Sequence, residues 1–96
     1  MHIAIPHKTT RQKAVEKVKD ALEKGRAQIA EHAKIGEERW EGDTLHFSVD
    51  LQGKTITGTL AVEDADYVLD AKLPLLWRMF EGRIEAEISR QVSALA

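Results

Sequence analysis

A chain of 96 residues, 43 per cent apolar and 31 per cent charged, has room for one hydrophobic core and no second domain, and is apolar enough to fold unaided. Zero cysteines exclude disulfides, thiolate nucleophiles, iron–sulfur clusters and cysteine-based zinc sites, and fit a reducing compartment. The net charge of −2 hides a split, with eight Lys/Arg against four Asp/Glu in residues 1–34 and three against nine in residues 35–73; a basic helix beside an acidic sheet is too weak a positive field to indicate nucleic acid.

No apolar run approaches the roughly 20 residues of a membrane span, and Met1 to His7 lacks the order of a signal peptide, so a cytoplasmic protein is expected. His2 to Pro6 alternates, with Ile3 and Ile5 on one side, and predicts a short strand ended by Pro6. Thr9 offers an N-cap with Gln12 three residues on. Val15, Val18, Leu22, Ile29 and Ala33 then form one stripe of a helix running to about residue 34. Gly25 lies on that stripe and marks either a close crossing over the sheet or a break; because the stripe keeps phase beyond it, a single helix is expected. At 25 or so residues such a helix overhangs the sheet, which invites self-association.

Ile35-Gly36 is expected to end the helix, and Glu37 to Glu41 to form a second strand around Trp40. Gly42-Asp43 turns the chain into the clearest strand, where Leu45, Phe47, Val49 and Leu51 alternate with His46, Ser48 and Asp50. Gln52-Gly53 is a two-residue hairpin signal. Ile56, Gly58, Leu60 and Val62 then alternate with threonines and Ala61, and Tyr67, Leu69, Ala71 and Leu73 mark the inner face of a last strand. Pro74 suits the first position of a helix, whose main stripe is Leu76, Phe80, Ile84, Ile88, Val92 and Leu95.

The order strand, helix, four-strand meander, helix predicts one α+β domain over residues 1–96, a two-layer sandwich with both helices on one face of a five-stranded antiparallel sheet. This order resembles that of helix-grip lipid-binding domains, and the resemblance implies that the first strand lies beside the fifth.

The candidate chemistry is sparse. The four histidines are not spaced as a site: His2 and His7 fall on opposite faces of the first strand, His32 ends the long helix and His46 points from the outer face, so all four are expected at the surface. Asp43, Asp64 and Asp66 lie at turns, where carboxylates bond neighbouring N–H groups. No phosphate-cradling loop or Ser-centred elbow occurs, so no catalytic, metal or cofactor residue is nominated and a non-enzymatic protein is expected.

Two features stand out. Gly58 removes an inward side chain halfway along a strand, leaving a gap for a Phe80 or Trp40 ring or for a small apolar pocket among the three. Leu75-Leu76-Trp77-Arg78-Met79-Phe80 is apolar nearly all round; if Leu76 and Phe80 face the sheet, Leu75, Trp77 and Met79 must meet the long helix, a second subunit or an external apolar surface.

Arg39-Trp40-Glu41-Gly42-Asp43-Thr44-Leu45-His46-Phe47-Ser48, with Gly53, Gly58, Leu73 through Phe80 and Glu81-Gly82-Arg83-Ile84-Glu85, resembles the small bacterial polyhydroxyalkanoic acid system proteins, also described as granule-regulating. The resemblance covers nearly the whole length and carries no catalytic residues across. It implies an accessory protein of polyester storage, partnered with the polyhydroxyalkanoate granule surface or a granule-associated protein; a homo-oligomer is expected from the helix length and the apolar segment alone. The alternative is a small carrier of a hydrophobic ligand such as an acyl chain.

Overall fold

The computed structural model describes residues 1–95 and, within them, every side chain but that of Leu76. Five strands form one antiparallel sheet in the order β1-β5-β4-β3-β2: β1 (His2–Pro6), β2 (Lys34–Glu41), β3 (Thr44–Leu51), β4 (Lys54–Val62) and β5 (Asp66–Lys72). Helix α1 (Arg11–Ala30) follows β1, and after β5 a 3-10 segment (Leu75–Phe80) leads into α2 (Glu81–Ser93). The expected α+β sandwich is therefore the observed one, including β1 beside β5 with Ile3 opposite Leu69 and Ile5 opposite Tyr67.

Both helices cover the same face. Ala14, Val15 and Val18 of α1 are buried with Ile5, Val62 and Tyr67, and Val92 and Leu95 at the C-terminal end pack against that cluster. The other face carries the polar residues of the alternating strands. There Thr55 donates to Asp50 at 2.6 Å, His46 pairs with Glu41 at 3.2 Å, and His2 bonds Asp70, its cross-strand neighbour.

The hairpins follow from local chemistry. Gln52 (φ 52°) and Gly53 (φ 78°) are both left-handed, as a type I′ turn requires, and Gly42 (φ 59°) begins the β2–β3 turn with Asp43 in the ordinary region, the φ pattern of type II′. Arg11 then ties the start of α1 to two turns, through Asp64 at 3.0 Å and Asp43 at 3.6 Å.

Several boundaries differ from expectation. The N-cap of α1 is Thr10, whose hydroxyl accepts from the Lys13 N–H at 3.2 Å, not Thr9. The helix stops at Ala30, because Lys34 and Ile35 pair with Asp50 and Val49 of β3 and so extend β2 forward from Glu37 to Lys34; a pairing with residues some fifteen positions ahead leaves no local signal. At 20 residues the helix spans about 30 Å, against about 26 Å for an eight-residue strand, so the overhang that suggested self-association is nearly gone.

Gly25 lies inside an unbroken α1, but at no close crossing: a Cβ there would meet only Ile29 Cδ1, at 3.9 Å. Ala14, earlier on the same helix, is fully buried.

His7 corrects the expectation of four surface histidines. It is only 6 per cent exposed, because the chain turns inward after Pro6. Its backbone N–H donates to Ala65 O at 2.9 Å, its Nε2 lies 2.7 Å from Glu63 O, and its ring sits 5.0 Å from the Tyr67 ring at 57°.

Candidate interaction surface

Pro74 (φ −54°, ψ 146°) cannot donate a backbone hydrogen bond, and no side chain caps the turn that follows it. The chain tightens into 3-10 geometry, with the Trp77 N–H donating to Pro74 O at 2.9 Å. Regular α-helix begins only at Glu81, an acidic residue in the first turn that suits the helix dipole. Its carboxylate also lies 3.1 Å from the Met1 amino group, which itself donates to Ala71 O at 2.9 Å. The start of α2 is thus held at the β1–β5 side of the sheet.

This break redirects the apolar residues between Pro74 and Glu81. Among the described residues the backbone of the 3-10 segment approaches α2 and none of the other elements, while Leu75 and Arg78 border a surface concavity with Thr55, Thr57 and Lys72. Leu75 is 77 per cent exposed, Met79 82 per cent and Phe80 52 per cent, while Trp77 is half-buried. Packing of Leu75, Trp77 and Met79 on the long helix is not what is found, and Phe80, expected to face the sheet, is open to solvent. Leu76, its expected companion there, lies outside the described side chains.

Gly58, Phe80 and Trp40 do not form a pocket. A Cβ at Gly58 would lie 2.9 Å from Phe47 Cζ, 3.0 Å from Ala71 Cα and against the Asp70 carbonyl oxygen. The gap left by the glycine is occupied by Phe47, its directly paired neighbour on β3, an arrangement in which an aromatic ring covers a strand glycine. Trp40 packs against the main core from β2, with Lys19 Nζ 5.1 Å from its ring centroid. Phe80 lines a surface concavity on α2 with Arg83, Ile84, Glu87 and Ile88. Phe47 carries the alternation of β3, and a cross-strand register would have brought it to Gly58; without the register the partner could not be chosen.

The electrostatics of α2 are local. Glu87 accepts from Arg90 at 2.6 and 3.2 Å and from Gln91 at 3.2 Å, which holds its carboxyl below the usual range and the Arg90 guanidinium above it. Arg83 and Arg78 flank the exposed apolar residues. Among the described residues no group of three or more His, Cys, Asp or Glu is placed to hold a metal ion, and no helix is long and apolar enough to cross a membrane.

The family described as "Putative polyhydroxyalkanoic acid system protein" matches residues 1–95. The chain belongs to that family. Neither a curated protein nor a solved structure matches it. In this chain the Trp40-Glu41-Gly42-Asp43 stretch is the end of β2 and the tight turn into β3, and the Leu73–Phe80 stretch runs into the exposed 3-10 segment.

Proposed function

We propose that this chain is a non-catalytic accessory factor that binds the surface of polyhydroxyalkanoate granules, or a protein coating them, through Leu75, Trp77 and Met79. The observation that carries this reading is the exposure of Leu75 and Met79 on one short segment whose backbone, among the described residues, approaches α2 and no other element. Large apolar side chains held out on a short turn can be buried in a lipid or polyester boundary, and flanking Arg78 and Arg83 keep their charged heads in water while their stems extend the contact. Family membership supplies the polymer; the exposed segment supplies the contact.

Burying Leu75 and Met79 would contribute roughly 1.5–3 kcal/mol each. The test is co-sedimentation of the purified protein with polyhydroxyalkanoate granules, bare and with their native protein coat. The unmodified chain is expected in the pellet, and Leu75→Ser/Met79→Ser, or Trp77→Ala, in the supernatant. A chain that stays in the supernatant with both granule preparations, or a double variant that pellets as well as its parent, rejects the proposal.

A further inference from the structure

The two helices do not close over the sheet. Among the described residues α1 approaches β2 and β4, α2 approaches β1 and the 3-10 segment, and the helices make no direct approach to each other. No residue of α2 is fully buried, although its apolar stripe is as regular as that of α1. Between them lies a cavity of about 240 Å³, floored by Phe47, Val49 and Leu60 and walled by Leu22 and Ile29 on one side and Ile88 on the other, with no polar atom contributing to its surface.

Such a space has few possible occupants. Water gains little there, because the lining offers it no polar partner. Left to solvent, the apolar lining stays wet at a cost in hydrophobic free energy. A second copy of the chain needs about 800 Å² of surface per partner for a stable interface, whereas this cavity admits little more than one narrow chain. A charged ligand is disfavoured at the β2 edge, where Glu38 is paired with Arg26 at 3.0 Å, Glu37 with Arg39 at 3.3 Å, and Glu23 also shares Arg26. Three carboxylates there share two guanidinium groups, an excess of negative charge beside an acid head group.

We propose that this cavity is a binding site for one uncharged aliphatic chain; since an apolar cavity of ~150 Å³ takes a six-carbon ring, its volume corresponds to roughly six to nine carbons. Ile88 lines both the cavity and the outer concavity that contains Phe80 and Ile84, so its side chain is the partition between the interior and the exposed apolar surface of α2. A chain enters at the β2 edge, beside Glu37 and Glu38, with its polar end left at the surface.

The experiment is a methyl NMR titration of the purified full chain with 1-octanol, with octanoate as the charged counterpart. Saturable shifts are expected at Val49, Leu60 and Leu69, and octanoate is expected to bind at least about tenfold more weakly because its carboxylate must approach Glu37 and Glu38. Val49→Phe fills the cavity from the floor and is expected to weaken 1-octanol binding about tenfold or more, by removing space for two or more methylene groups. Ile88→Trp fills it from the α2 wall, so that unfolding of one variant leaves the other as the test. The proposal is overturned if 1-octanol gives no saturable shifts, if both folded variants bind it as the parent does, or if octanoate binds as tightly. It is also overturned if the same methyls shift with protein concentration as the chain dimerises, which would make a second copy the occupant. No granule is present in this assay, so its failure leaves granule contact through Leu75 and Met79 standing, and the converse holds.

Discussion

Arg26 of α1 grips Glu38 of β2 with both ends of its guanidinium, Nη1 to Oε1 at 3.1 Å and Nη2 to Oε2 at 3.0 Å. Glu38 stands opposite Phe47 on the helix-covered face of an edge strand. The hydrogen bonds to Glu38, and then those to Glu23, hold Arg26 above the usual arginine range. An inward-pointing charge on an edge strand opposes pairing with another sheet, and here the ion pair with α1 makes it tolerable. Glu38→Leu is therefore expected to raise the weight-average mass in sedimentation relative to the parent; an unchanged mass would remove the protective role of this carboxylate.

Gly25→Ala is expected to stabilise the chain by about 0.5–1 kcal/mol, since alanine costs the unfolded chain less entropy and the helix has space for the methyl group. Only Ile29 Cδ1 lies near, at van der Waals distance. Thermal or urea unfolding checks this, and a loss of stability would mean that the helix bends there in solution.

Gly58→Ala acts in the opposite direction. Its methyl would press on Phe47 Cζ, on Ala71 Cα and on the Asp70 carbonyl, and overpacking of this kind costs about 1–3 kcal/mol. Phe47→Leu in the same chain should recover only part of the loss, because two of the three obstacles are backbone atoms. Full recovery by urea unfolding would place all the strain on the ring.

Gln52 carries φ 52° at the first position of the β3–β4 turn, a conformation that asparagine and glycine adopt at less cost than glutamine. Gln52→Asn is expected to add about 0.5–1 kcal/mol to the stability of the hairpin, read as a higher urea midpoint with an unchanged slope.

Tyr67 is fully buried, and its hydroxyl has no hydrogen-bond partner among the described residues. Burial pushes its phenol above the ordinary value of 10.0. The folded chain then holds the proton where the unfolded chain has released it. Stability is fully present below pH 10 and is lost as pH rises from there through the folded pKa. Because Tyr67 is the chain's one tyrosine, phenolate absorbance reports it alone, and ionisation should coincide with alkaline unfolding. Tyr67→Phe should abolish this alkaline dependence and add roughly 1 kcal/mol or more at neutral pH by removing an unsatisfied buried hydroxyl. Early ionisation in the folded chain would contradict the burial.

Much of the fold was legible because its signals are local. Alternation in Leu45 to Leu51 and Tyr67 to Leu73, positive-φ turn residues at Gly42 and Gly53, and the unbroken apolar phase of α1 each follow from interactions within a few residues. Leu75, Trp77 and Met79 were suspect for the same reason, since a helix apolar all round needs neighbours on every side, and Leu75 and Met79 are exposed.

What local pattern could not supply was distance across the chain. Lys34 and Ile35 left the helix for partners on β3, Phe47 and not Phe80 covered Gly58, and His7 was drawn under Tyr67 by a carbonyl of residue 63. The stripe of α2 likewise showed which side of the helix is apolar, but not how far that side stands from α1. Sequence determined the elements and their faces, because propensity and periodicity act between near neighbours. Only the tertiary structure decided the cavity and the exposed segment, because both depend on the separation of surfaces that meet through the fold.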